Sequence, residues 1–223
     1  MEFSGSGLLT VTVFLPLAGA VAIALAIRGE RQVRYLAGAV ALVELVLGIV
    51  VFFSYDRSGA QFQHIDKVGD WIHIESFNVQ YFLGVDGLSA PMVMLAGLLG
   101  MAAVYASWGV RVRVREYFFW LLVLQTAVMG VFTALDFILF FLLWELELVP
   151  MFFLISIWGS GRREYSAMKF LIFTFLGSAF MLVGILALFF STGVSTFDMT
   201  ELPEKIQAAT LIAPAGLIFG LLF

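Results

Sequence analysis

Cysteine is absent from the 223 residues, which excludes disulfides, cysteine-ligated zinc and iron–sulfur clusters in this chain. Charge is scarce as well. Only 13% of residues are charged, and 12 Lys and Arg face 16 Asp and Glu for a formal net charge of −4, so no basic field suited to nucleic acid forms. The two histidines, His64 and His73, have no carboxylate spacing that fits a metal. No glycine-rich phosphate loop follows a strand pattern. What remains is apolar: 62% of the chain is hydrophobic, well above the roughly half found in soluble domains. This is the composition of a membrane protein.

Apolar runs cover 8–27, 35–53, 88–108, 117–135, 137–158 and 167–190. Each is close to the ~20 residues an α-helix needs to cross ~30 Å of hydrocarbon. A further run starts near Ala208 and reaches only about 24 Å by Phe223 at ~1.5 Å per residue. The expectation is an all-α, polytopic transmembrane helix bundle of six full spans plus the start of a seventh, cut inside that helix. The first run lacks the positive n-region and small-residue exit of a signal peptide, since Glu2 is the only charge before it, so it reads as a retained span.

Orientation follows from the basic residues. Arg28, Arg31 and Arg34 follow the first span, Arg111, Arg113 and Arg115 the third, and Arg162, Arg163 and Lys169 the fifth, which places nine of the 12 on alternate loops. The positive-inside rule then predicts a cytoplasmic position for those loops, an outside N-terminus and an external 54–80 loop. Trp71, Ile72, Ile74 and Phe77 in that loop alternate as a hairpin would. Between the fourth and fifth spans only a tight outer hairpin around Asp136 is left.

An ionised side chain near a span centre costs on the order of 2.5–3.5 kcal/mol on insertion scales, so mid-span acids are the informative positions. Glu44, Glu145 and Glu147 qualify. Glu145 lies roughly 12 Å into its span, near the bilayer middle. Glu147 is about 200° further round the helix, so the two carboxylates face opposite ways and form no acid pair. Pro150 lacks an N–H and leaves the Leu146 carbonyl unpartnered between the two glutamates, which predicts a loosened helix-break beside Glu145. Such a carboxyl, alternately approached by a cation and left in apolar surroundings, is a proton-relay site. The competing reading is a protonated glutamate bonded to a neighbouring helix or a partner subunit. Lys169, near the cytoplasmic end of the sixth span, reads as a snorkelling anchor or a secondary proton-path residue. Asp86 and Asp136 precede helices and read as caps, Asp136 being also the one acid at its hairpin and a further proton-path candidate. Gly216 and Gly220 at GxxxG spacing in the last run carry little weight.

The segment Phe140-Phe141-Leu142-Leu143-Trp144-Glu145-Leu146-Glu147-Leu148-Val149-Pro150-Met151, followed by Trp158-Gly159, resembles the fifth-helix signature of the antiporter-like subunits of respiratory complex I, and of subunit M, the equivalent of mitochondrial subunit 4, in particular. The pattern aromatic-Glu-x-x-Leu-(Val/Ile)-Pro falls on Trp144 to Pro150. Leu83-Gly84-Val85-Asp86-Gly87-Leu88-Ser89, Lys169-Phe170, Phe173-Thr174 and Gly177-Ser178 match as well, so the resemblance spans at least 83–180.

The resemblance implies an antiporter-like fold in a chain of roughly twice this length, built from inverted five-helix repeats with a broken helix in each. It divides the sequence into an N-terminal three-helix segment, 1–110, and the first part of an antiporter-like repeat, 111–223. It implies a non-redox subunit of a proton-translocating NADH:quinone oxidoreductase, pumping protons outward with Glu145 paired to a seventh-helix lysine. Glu147 has no fixed counterpart in that pattern. No cofactor is expected in this chain, the flavin, iron–sulfur clusters and quinone belonging to partner subunits. Expected partners are other membrane-arm subunits, neighbouring antiporter-like ones above all, and the lipid bilayer, with no nucleic acid. A bacterial plasma membrane is the expected location, thylakoid or inner mitochondrial membrane being the alternatives. A multisubunit sodium/proton antiporter subunit and a non-transporting scaffold are the rival readings.

Overall fold

A computed structural model describes residues 3–56, 58–74, 77–192 and 197–201. The seventh apolar run and its Gly216 and Gly220 lie outside the described residues. Within them the chain runs β1 (Phe3–Gly5), α1 (Leu8–Leu25), α2 (Glu30–Ser54), β2 (Gln63–Ile74), β3 (Phe77–Val85), α3 (Ser89–Ala106), α4 (Val114–Thr133), α5 (Phe137–Trp158) and α6 (Arg163–Thr192). All six helices are long and apolar enough to span a bilayer. This is an integral membrane protein built mainly of helices. The expected spans are present, with α2 starting earlier, at Glu30, and α6 running from Arg163 to Thr192 because polar residues at both ends still suit a helix.

The helices alternate in direction, each following its predecessor through a short link or the hairpin. Helix α1 packs on α2 and α4, α2 on α3, α4 on α5, and α5 on α6. Small residues allow the closest approach. A methyl group on Gly48 would sit 3.3 Å from the Met94 backbone, and one on Gly97 would sit 3.1 Å from the Leu45 Cα, so α2 and α3 are nearly in backbone contact. Van der Waals packing of this kind drives association where lipid removes the hydrophobic force.

One end of the bundle carries a three-stranded antiparallel sheet in the order β1-β2-β3. The hairpin foreseen in the loop is there, but it extends to Val85 and gains Phe3–Gly5 as a third strand, with Ser4 opposite Lys67. The all-α expectation thus holds for the spans and omits this cap. Gly7, at φ 72, makes the turn from β1 into α1, a backbone conformation that glycine adopts without strain.

The other end is laced by the arginine clusters. Arg115 donates to the Ile23 carbonyl at 2.9 Å and to that of Ala24, satisfying the last turn of α1. Arg34 donates to Val110 O at 2.8 Å. Arg113 pairs with Glu116. The indole of Trp158 donates to Val112 O at 2.7 Å, tying the end of α5 to the α3–α4 link.

Candidate functional site

Helix α5 presents the acids singled out by sequence. It is apolar almost all round, as a span in contact with both lipid and protein must be. Glu145 is half-buried, and its Oε1 is fully enclosed without a hydrogen-bond partner among the described residues. Glu147 is half-buried too. Only two residues apart on one continuous helix, the carboxylates diverge.

The helix-break assigned to Pro150 needs correction. Helix α5 runs through the buried proline from Phe137 to Trp158 without interruption. The proline deletes one backbone hydrogen bond, to the Leu146 carbonyl, while packing on α4 and α6 holds the rest of the helix together. A carbonyl freed between Glu145 and Glu147 is still a polar group at mid-span.

The remaining candidates scatter. Glu44 lies in the middle of α2, wholly buried, with neither carboxyl oxygen partnered among the described residues. Lys169 is exposed on α6, its Nζ 5.8 Å from the centre of the Phe173 ring. Asp136 caps α5: its Oδ1 accepts the N–H groups of Ile138 at 2.9 Å and Leu139 at 3.1 Å. Asp86 accepts from Leu88 and Ser89 and its own N–H donates to the Ser89 hydroxyl at 2.8 Å, a reciprocal cap on α3. His64 contacts the Ser54 hydroxyl at 3.0 Å, at the sheet end of the bundle.

Two groups of polar residues escaped the sequence reading. Asp66 of β2 is wholly buried and accepts from Gly7 N at 2.7 Å, Thr10 N at 2.9 Å and the Thr10 hydroxyl at 3.0 Å, so it caps α1 from another element. No local spacing signals a cap supplied from so far along the chain. Lys67 lies 3.4 Å from the buried Asp198 and 4.4 Å from the centre of the Phe82 ring. Asp198 belongs to a short segment that bridges backbone to backbone with Asp136. Gln125 of α4, the second omission, is buried with both amide atoms unpartnered among the described residues. An uncharged side chain in a hydropathic run gives no such warning.

Among the described residues, six apolar helices, a mid-span acid with an enclosed, unpartnered oxygen beside a proline, and a capping sheet at one end define a polytopic membrane protein of the antiporter-like fold. The chain is similar in sequence to chain 4 of the NAD(P)H-quinone oxidoreductases. Residues 134–223 match the family described as "NADH:quinone oxidoreductase/Mrp antiporter, TM". The chain is 42% identical over 95% of its length to NAD(P)H-quinone oxidoreductase chain 4 2 of Thermosynechococcus vestitus, covering 40% of that protein. Chain 4-2 of Synechocystis is likewise 42% identical over 95% of this chain, which covers 38% of it. The sequence therefore spans about two fifths of the length of these curated relatives. Among solved structures the fold matches a chain of respiratory complex I from Thermus thermophilus, with a TM-score of 0.73 at 22% identity, covering 87% of this chain and 38% of that one. It also matches a chain of the archaeal membrane-bound sulfane sulfur reductase, with a TM-score of 0.79 at 17% identity, covering 97% of this chain and 43% of that one.

Proposed function

We propose that the full-length protein is the chain 4 (subunit M) antiporter-like subunit of an NAD(P)H:quinone oxidoreductase, and that Glu145 is its proton-relay carboxyl. The observation that supports this most is the enclosed, unpartnered Oε1 of Glu145 at mid-span, on the segment that carries the family signature. A carboxyl with one oxygen enclosed and no fixed partner has two accessible states. Apolar surroundings favour the neutral acid, and an approaching cation favours the carboxylate and releases the proton. A lysine in the sequence beyond α6 would supply that cation. The freed Leu146 carbonyl offers a hydrogen-bond acceptor to a water that delivers the proton.

In this reading residues 111–223 begin the antiporter-like repeat, and 1–110 form the preceding three-helix segment. The arginine end of the bundle faces the cytoplasm and the sheet and N-terminus face outward. The membrane is a bacterial plasma or thylakoid membrane, in keeping with the cyanobacterial relatives. Partners are the other membrane-arm subunits, adjacent antiporter-like ones included, and those carrying flavin, iron–sulfur clusters and quinone. Glu147, Glu44 and Lys169 are secondary path residues, whereas capping accounts for Asp136.

The test is proton pumping by the complex assembled with full-length Glu145→Gln. Assembly with loss of quinone-coupled pumping is expected, and wild-type pumping would overturn the assignment. The family description also embraces Mrp antiporters. Co-purification of the tagged chain with redox subunits discriminates, because a sodium/proton antiporter would bring down none.

A further inference from the structure

The core of the α1–α4 bundle is divided. One apolar cluster, at the sheet end, contains Val13, Val51, Val93 and Met129, and a second, at the arginine end, contains Ala20, Ala41, Val104 and Leu122. Between the two clusters each helix also places small or polar residues, or a proline, most of them buried. Helix α1 has Pro16 and Gly19, α2 has Glu44 and Gly48, α3 has Gly97 and Gly100, and α4 has Gln125 and Thr126.

Four polar atoms in this layer, both carboxyl oxygens of Glu44 and both amide atoms of Gln125, are enclosed without a partner among the described residues. Glu44 is 0% exposed and Gln125 6%. They approach the same stretch of α3. A methyl on Gly97 would lie 3.6 Å from the Glu44 carbonyl and 3.4 Å from Met129, one turn along α4 from Gln125, and a methyl on Gly100 would overlap the Gln125 amide itself. Gly97 and Gly100 are about 4.5 Å apart along their helix. Helical side chains lean toward their own N-terminus, which for α2 is the arginine end. The Glu44 carboxyl is thereby carried from the level of Gly97 toward that of Gly100, where Gln125 sits.

Among the described residues of α1 to α4, no cation shares this layer. Helices α1 and α3 carry no charged residue, α4 carries only Arg115 and Glu116 in its first turn, and the other charges of α2 are Glu30, Arg31 and Arg34 at its start. A carboxylate buried there would have no counter-charge, while a carboxylic acid and a primary amide complement each other as donor and acceptor, directly or through one water. We infer that Glu44 and Gln125 form one internal polar site that holds a proton, and with it a bridging water, at mid-depth between α2, α3 and α4. The site is separate from Glu145 on α5 and does not depend on the pumping role assigned there.

The test uses the complex assembled with the full-length chain, reading its thermal midpoint. Glu44→Leu and Gln125→Leu should each lower the midpoint, and the double variant should lower it by clearly less than the two losses added, since apolar groups on both sides leave nothing unpartnered. Glu44→Gln, which replaces the neutral acid by its closest uncharged analogue, should assemble normally. Between about pH 6 and pH 8 the wild-type midpoint should fall relative to that of Glu44→Gln, because the folded chain then retains a proton that the unfolded chain releases. Additive losses, or a difference that does not change with pH, overturn the proposal. If the leucine variants fail to assemble, the pH comparison decides alone.

Discussion

The carboxylate of Asp136 reaches the backbone N–H of Gln80 at 3.2 Å with one oxygen while the other caps the first turn of α5. A single side chain therefore fastens β3 to a membrane span. Burial pushes the Asp136 carboxyl above its usual 3.8, the bonds from Leu139, Gln80 and Ile138 pull it down, and nearby Asp198 adds a smaller upward push. The net shift is upward. The folded chain thus holds this proton more tightly than the unfolded chain does. The corresponding stability is complete below the unfolded value and is lost as pH rises through the folded one. Asp136→Asn should remove that part of the acid-side pH dependence. Asp136→Ala should cost roughly 1–3 kcal/mol by stranding buried N–H groups. Thermal midpoints of the assembled complex between about pH 4 and pH 7 would separate the two.

Asp66 does the equivalent work at α1. Its three accepted bonds continue to Tyr81, whose hydroxyl donates to Thr10 Oγ1 at 3.0 Å, so β2, α1 and β3 share one network. Asp66→Ala leaves two backbone donors and a hydroxyl without their acceptor, and should destabilise by roughly 1–3 kcal/mol. Tyr81→Phe removes only the outer member and should cost about 1 kcal/mol. Equal losses in the two variants, measured as thermal midpoints, would contradict this hierarchy.

The spans were legible because lipid demands long apolar runs and little else, and the capping aspartates because Asp86 and Asp136 stand immediately before helices. Asp66 was not, since its partners Gly7 and Thr10 at the start of α1 lie more than 50 residues away in the chain, and neither was β1, three residues that form a strand along the edge of β2. Proline misled in the opposite direction. Pro150 suggests a break in isolation, but the apolar turns on both sides are held by neighbouring helices, and α5 carries through. Glu44 was visible by its charge, whereas Gln125, buried alongside α3, carries no charge to betray it.

Glu145 and Glu147 should part company under mutation. They occupy nearly opposite faces of an unbroken helix, so one relay cannot use both alike. Glu145 Oε1 is enclosed and unpartnered, while neither oxygen of Glu147 is enclosed in that way. Glu145→Gln should abolish or severely reduce pumping coupled to quinone reduction, and Glu147→Gln should retain most of it. Proton uptake by vesicles containing each assembled variant measures this. A Glu147 variant as inactive as the Glu145 variant would mean that the path winds around α5.

Gly100 tests the packing that seats Gln125. An added methyl would fall inside the volume of the Gln125 amide, and since that side chain is buried against α3, it has to change rotamer or force the helices apart. Overpacking of this sort costs typically 1–3 kcal/mol, so Gly100→Ala should lower the thermal midpoint of the assembled complex. Gln125→Ala removes the obstructing atoms, and in that background Gly100→Ala should cost close to nothing, a coupling on the order of 1–2 kcal/mol between residues on different helices. Gly97→Ala behaves differently, because its nearest neighbour is the Leu45 Cα at 3.1 Å, a backbone atom that no change of rotamer can move. Truncating Gln125 should therefore rescue Gly100→Ala and leave Gly97→Ala as damaging as before; if it rescued both, or neither, the glycines would be serving some purpose other than close approach.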